Sequence, residues 1–279
     1  MQVTLWGTRG SLAAPGIDTS RYGGNTSCVQ VVGDQGTHLV LDAGTGIRRL
    51  GLDLPHSLHR VDILLTHLHL DHIQGLGFFG PMDDPDYQVH IWGPSSIQYD
   101  LRTRLTRYLS PPLFPIHLRD LPSTLVLHDV AHTTFSIGEF TITSMPVTHP
   151  GPTLGYRITC GNKTMTYIPD HEPALGVKNF PLRGEWTSGY DLAADVDLLI
   201  HDAQFNNLEY ARRIGWGHST LEHAVEFARL ARVKRLLFFH HDPGHNDNAL
   251  ESLAAETLAQ LNPRFSATPA MEGNTLILE

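Results

Sequence analysis

The segment Thr66-His67-Leu68-His69-Leu70-Asp71-His72 constrains this chain more than any other. It closes the apolar run Val61 to Thr66, which reads as a buried β-strand, and so sets a row of metal-ligating side chains at a strand's end. Residues two apart in an extended chain project to the same side, so His67 and His69 can converge on one ion. Asp71 and His72 come where the chain turns into a short helix and can project toward a second ion beside the first. Such residues are rarely buried without partners, so packing does not explain an alternating cluster of this kind. Imidazole nitrogen and carboxylate oxygen are the ligand set of zinc and related divalent metals, and paired ions are a known hydrolytic arrangement.

The rest of the composition is that of an ordinary globular protein. Of 279 residues, 41% are hydrophobic and 18% charged, enough for a sizeable core and not a composition of disorder. The length suits one domain covering residues 1–279. Histidine is the anomaly, with 18 residues against 20 Lys plus Arg. A formal charge of -9 argues against a protein that holds nucleic acid mainly by neutralising phosphates, and no stable nucleic-acid complex is expected. Cys28 and Cys160 lie in separate strand-like runs, which predicts buried free thiols and neither a disulfide nor a cysteine zinc site. No stretch has the pattern of a signal peptide or a membrane span, so a cytoplasmic protein without a membrane partner is expected.

Short apolar runs punctuated by Gly and Pro predict strands at Val3 to Trp6, Ser27 to Val32, His38 to Leu41, Phe135 to Ile137, Phe140 to Ser144, Leu154 to Thr159, Thr164 to Ile168, Leu198 to Ile200, Leu236 to Phe239 and Thr275 to Leu278. One helix is expected around Ile97 to Leu109. A second starts with a Ser219/Glu222 capping box, and a third carries Leu250 to Leu261 and stops at Asn262-Pro263. Leu41-Asp42-Ala43-Gly44-Thr45-Gly46 lacks the third glycine of a dinucleotide fingerprint. Strands first and helices interleaved later suit two sheets covered by outer helices.

One segment supplies too few ligands for two ions, so further His and Asp are expected at later strand ends. His149, Asp170 and either His240 or His241 each follow an apolar run and precede a turn, with His240 at the strand end preferred. With these residues the sequence resembles the metallo-β-lactamase superfamily of metal-dependent hydrolases, whose His-x-His-x-Asp-His signature is met by His67, His69, Asp71 and His72. The resemblance implies an α/β fold, a four-layered αββα sandwich of two mixed β-sheets flanked by helices. It also implies that His67, His69 and His149 hold one ion, that Asp71, His72 and His240 hold the other, and that Asp170 bridges them. Two Zn²⁺ per chain are expected, with Mn²⁺ or Fe²⁺ as alternatives.

Within that superfamily the chain looks more like the phosphodiesterase-like branch, which includes the tRNA 3′-processing ribonucleases and cyclic phosphodiesterases. His201-Asp202-Ala203 is similar to that branch's His-Glu-Ala segment and Gly217-His218-Ser219-Thr220 to its His-Ser-Thr motif. The resemblance gives Asp202 and His218 the roles of orienting acid and proton donor, and gives Asp71 a role in orienting the nucleophile. A departing alkoxide needs a proton, so the assignment is chemically sound. A following helix start would lower the His218 pKa and Asp202 would raise it, for a balance near neutrality.

Asp170 follows His149 too closely to leave room for the long tRNA-gripping arm that the ribonucleases carry there, which points to a small phosphodiester such as a cyclic nucleotide. The competing readings are an acyl hydrolase, thioesterase or lactonase, on the same site, and a non-catalytic metal-containing sensor. A redox di-iron centre is disfavoured, since relatives of that kind carry Glu where this chain has His69. Relatives are often homodimers. Arg9, Asn25 and Thr26 lie in a long first loop that could meet substrate phosphate or solvent, and His171 could line the site or bond to nearby backbone.

Overall fold

The computed structural model describes residues 1–175, 180–181 and 183–279. The strands among them are β1 (Gln2–Gly7), β2 (Cys28–Val32), β3 (His38–Leu41), β4 (Arg60–Leu64), β5 (Gln88–Pro94), β6 (Thr124–Val130), β7 (Thr133–Ile137), β8 (Phe140–Pro146), β9 (Leu154–Cys160), β10 (Lys163–Ile168), β11 (Leu198–Asp202), β12 (Arg235–Phe239), β13 (Ser266–Pro269) and β14 (Thr275–Ile277). They form two seven-stranded sheets, ordered β14-β1-β2-β3-β4-β5-β6 and β13-β12-β11-β10-β9-β8-β7. Each sheet runs through antiparallel pairs on one side, from β14 to β3 and from β7 to β10, and parallel pairs on the other. The two halves of the chain thus build the same strand arrangement, and only β14 returns to the first sheet.

Alternation along the strands places the layers. β10 sends Met165 and Tyr167 between the sheets and Ile168 to the outer face, while β12 sends Leu237 and Phe239 inward and Leu236 and Phe238 outward. β12, buried on both faces, reads as the unbroken apolar run Leu236 to Phe239, whereas β10 alternates Thr164 and Thr166 with Met165 and Tyr167. The outer face of the first sheet is covered by α1 (Ile47–Asp53), which contributes Ile47 and Leu50, and by the third helix in chain order, discussed below.

The ligand segment continues into α2 (Leu70–Ile73), and the outer helix of the middle region is α3 (Leu101–Thr106), which buries Leu101 and Leu105. The second sheet is covered by α4 (Tyr190–Ala193), which buries Leu192 and Ala193. A single turn, α5 (Asn207–Tyr210), precedes α6 (Leu221–Leu230) and α7 (Asp247–Leu261), whose Ala224, Val225, Ala228 and Ala254 complete the outer core. The result is the four-layered αββα sandwich.

Four details differ from the sequence reading. The middle helix is shorter than Ile97 to Leu109, because Asp100 caps it by accepting from the Thr103 amide at 2.8 Å. The N-cap of α6 is Thr220, whose hydroxyl accepts from the His223 amide, and Ser219 instead donates its hydroxyl to His171 O at 2.6 Å. β6 and β13 are edge strands, half exposed and interrupted by polar residues, so their sequences carry no clean alternation. β5 was hidden in a segment rich in Pro and aromatics. Cys28 and Cys160 are both free and buried.

What positions the site is the shared direction of the parallel strands. β3, β4, β10, β11 and β12 end on one edge, where they deliver Asp42, the His67 to His72 segment, Asp170, Asp202 and His240.

Candidate metal centre

At that edge His67, His69, His149 and Asp170 place ligand atoms within 4.8 Å of one another, and Asp71, His72 and His240 form a second such group. Asp170 stands between them. Its Oδ1 lies 3.0 Å from His72 Nε2 and 3.3 Å from His240 Nε2, while Oδ2 lies 3.6 Å from both His67 Nε2 and His149 Nε2. Asp71 Oδ2 is 3.2 Å from His72 Nε2 and 3.1 Å from His240 Nε2. The structure therefore gathers all seven residues that the sequence offered as ligands into two groups around one carboxylate.

The imidazoles are held by their other nitrogens. His72 Nδ1 donates to Asp42 at 2.7 Å, His149 Nδ1 to Gly217 O at 2.8 Å and His240 Nδ1 to Gln204 Oε1 at 3.1 Å. Thr66 donates its hydroxyl to Asp42, which leaves Thr66 Oγ1 to accept from His67 Nδ1 at 3.1 Å. With Nδ1 engaged in this way, the rings of His67, His72, His149 and His240 can each turn an Nε2 lone pair toward the centre, the arrangement that metal-ligating histidines adopt, while His69 Nδ1 faces His149 Nε2 at 3.2 Å.

Asp42 acts on both groups at once. Its carboxylate also receives the Thr66 amide at 2.7 Å and the Tyr167 hydroxyl at 3.0 Å. The sequence reading passed over Asp42, because a single carboxylate in a glycine-rich turn carries no ligand pattern.

Backbone geometry at the edge is specialised. Asp42 and His240 both occupy the left-handed region, with φ of 57° and 60°, a conformation that non-glycine residues adopt rarely and at sites that over-determine it. The His240 ring is packed against Gly10, where a Cβ would lie 2.2 Å from Nδ1. Gly217 has a φ of 89°, and a Cβ there would sit 2.3 Å from His149 Nδ1.

Electrostatics test whether divalent ions fit. Asp42, Asp71, Asp170 and Asp202 are all buried, and buried carboxylates without compensating charge are costly. Burial works against the charge of Asp71, yet His72 and His240 hold its carboxyl well below the usual range. Burial likewise opposes ionisation of Asp170, and the surrounding His240, His72 and His67 outweigh it. His72 shows the converse: burial lowers its pKa, but Asp170, Asp71 and Asp42 drive it far upward, so its surroundings call for positive charge.

Both oxygens of Asp170 and Nε2 of His67 are buried without a hydrogen-bond partner, although His72 Nε2 lies close to Oδ1. The Nε2 atoms of His72 and His240 face each other at 3.4 Å while both Nδ1 atoms are committed elsewhere. Orphaned oxygens and opposed lone pairs are what cations would satisfy, and the donor set of imidazole and carboxylate fits zinc or its neighbours.

His218 adjoins this cluster. Its ring stacks on His240 with centroids 5.0 Å apart and lies edge-on to His149 at 5.1 Å. Nδ1 donates to Asp202 Oδ2 at 2.7 Å, and Asp202 is itself held by the amides of His171, Gln204 and Ser219. Burial lowers the His218 pKa, but Asp202, with Asp170 and Asp71 behind it, raises it to about 9. The expectation of near neutrality is corrected upward: His218 precedes the Thr220 cap, and the carboxylates outweigh the other influences.

The remaining candidates resolve into supports. Arg9 is fully buried and touches neither solvent nor the cluster: Nε donates to Gly23 O, and Nη1 to Asp242 O and His245 O. It clamps the loop that follows His240. Asn25 is tied to Glu272 and Thr45, and Thr26 receives the Thr45 amide on its hydroxyl. The His241 ring turns away to Ala270 O at 2.8 Å, and His171 pairs with His201 at 2.9 Å.

Comparison with known proteins agrees with this architecture. Residues 37–241 match the family model of the beta-lactamase superfamily domain. Ribonuclease BN of Cronobacter sakazakii is 28% identical over 262 residues, covering 79% of this chain and 84% of that protein. Among solved structures, the short form of human tRNase Z matches with a TM-score of 0.68 and 20% identity, covering 100% of both chains. A diphosphatase of the PhnP family matches with a TM-score of 0.70 and 20% identity, over 100% of this chain and 98% of that one. The matched segment spans β3 to the His240 edge, and the chain belongs to the metallo-β-lactamase superfamily.

Proposed function

We propose that this protein is a binuclear metal-dependent phosphodiesterase that hydrolyses small phosphodiesters such as cyclic nucleotides, acting in the cytoplasm as one domain of residues 1–279. The observation that carries this reading is the Asp202–His218 pair placed against the ligand cluster. A phosphodiester releases a poor alkoxide leaving group, and protonation of that oxygen is a main demand of the reaction. Against the effect of burial, Asp202 raises the His218 pKa and so favours a proton on the ring, and among the described residues His218 Nε2 makes no hydrogen bond. Asp202 fixes the ring so that this proton points away from the carboxylate.

His67, His69 and His149 would hold one ion, Asp71, His72 and His240 a second, and Asp170 would bridge them. Zn²⁺ is the first choice, with Mn²⁺ or Fe²⁺ as alternatives. Bound there, the ions would supply Lewis acidity toward phosphoryl oxygens and a lowered pKa for water. Asp71, anchored by the Ser11 amide at 2.7 Å, would orient the attacking water.

The names of relatives such as Ribonuclease BN favour RNA as a second substrate class. Against it stand the net charge of -9 and the short course from His149 to Asp170, which holds only the β9–β10 hairpin. A panel of cyclic nucleotides, bis(p-nitrophenyl) phosphate, RNA, thioesters and lactones, assayed before and after chelation, tests the proposal. Chelator-sensitive cleavage of the small phosphodiesters is expected. Turnover of thioesters or lactones alone would overturn it in favour of acyl transfer, and a fully loaded protein without turnover would favour a sensor.

A further inference from the structure

A cleft of about 240 Å³ is lined by His67 and His69 and also by Gln98, Tyr99, Arg104 and Arg107, so one cavity joins the metal centre to the segment around α3. Its two arginines differ. Arg104 is committed, with Nη2 donating to Pro94 O and lying 3.3 Å from Asp129 Oδ1. Arg107, one turn further along, is exposed and has no carboxylate partner among the described residues.

The Arg107 guanidinium lies 4.8 Å from the centre of the Tyr99 ring. A cation set over an aromatic face is held in plane and shielded on one side, while its N–H edge stays free to donate. That edge is the geometry that grips a phosphate with two parallel hydrogen bonds. The same contact covers the Tyr99 face, which makes a stacked base a poorer occupant here than an anion. General attraction for anions is not available to a chain of charge -9, so a local cation must do the selecting.

We infer that this cleft is a subsite for a second phosphate group of the substrate, gripped by Arg107 while the scissile diester lies at His67 and His69. The inference rests on the phosphodiesterase reading for the identity of the reacting group, and its test is separable from it. Binding to the metal-loaded protein is measured by calorimetry for thymidine 3′,5′-bisphosphate and for thymidine 5′-monophosphate. The wild type is expected to prefer the bisphosphate by ~10-fold or more, a typical worth for one charge-assisted bidentate contact.

Arg107→Ala should bring that ratio close to one and Arg107→Lys should leave it intermediate. Arg119→Ala, at an exposed arginine beside Asp120 outside the cleft, should keep the wild-type ratio. A wild-type ratio near one, or a preference that survives Arg107→Ala, would overturn the subsite. Hydrolysis of bis(p-nitrophenyl) phosphate on the same preparations reports the activity alone. Turnover without a bisphosphate preference removes the subsite and keeps the phosphodiesterase, and a preference without turnover does the reverse.

Discussion

At the scale of single residues, two side chains separate metal binding from proton transfer. His218 touches the cluster and is anchored by Asp202 at 2.7 Å. His218→Ala should keep the metal content of the wild type and lower kcat by ~10²–10⁴-fold, the usual worth of a general acid. Elemental analysis beside steady-state kinetics checks this, and unchanged turnover would remove the proton-donor role. Asp42 is the opposite case, buried behind the ligands and bonded to His72, Thr66 and Tyr167. Asp42→Asn should weaken metal affinity by ~10–100-fold, as loss of a group that orients ligands does. Competition with a chromophoric chelator measures it, and an unchanged affinity would mean that Thr66 and the backbone suffice to orient the rings.

At the scale of elements, the loop after β1 and the end of β12 are fitted to each other. Gly10 N donates to His241 O, His241 N donates to Thr8 O, and Arg9 grips the carbonyls beyond. Gly10→Ala should displace the His240 ring, with which its Cβ would collide at 2.2 Å, and cut the metal content while far-ultraviolet dichroism stays native. Retention of the full metal complement would show that the loop yields instead.

Stability should also depend on pH through β11. Burial holds His201 down to about 4 from an ordinary value of 6.5, with Asp202 opposing that effect. Its contribution is therefore complete above pH 6.5 and is lost as the pH falls toward 4, because the unfolded chain takes up the proton first. Urea midpoints measured with chelator present should drop across that window, and less steeply in His201→Gln. Equal slopes would assign the acid lability to other groups.

The same elements show what the sequence made legible. Four of the seven proposed ligands, His67, His149, Asp170 and His240, follow an apolar run, so strand and donor were read together there, and the other three follow within the His67 to His72 segment. Asp42 and Gln204 escaped notice because their importance comes from rings delivered by other strands. Arg9 was misjudged for a related reason: its hydrogen-bond partners are the main-chain carbonyls of Gly23, Asp242 and His245, with the buried Asp247 carboxylate 3.7 Å away, and neither composition nor spacing marks a carbonyl or a partner so distant in the chain.

For the whole molecule, the two sheets repeat one strand arrangement, and their parallel halves open on a common edge where the two ligand groups meet at Asp170. No described helix is long and apolar enough to cross a membrane. The central claim is that this edge holds a pair of ions that act on a phosphodiester. The most direct test is elemental analysis of the purified chain together with hydrolysis of bis(p-nitrophenyl) phosphate before and after chelation. About two divalent ions per chain, with turnover lost on chelation and restored by the metal, is the predicted result. A chain that takes up no metal on reconstitution, or that is fully loaded and leaves the diester intact, would contradict it.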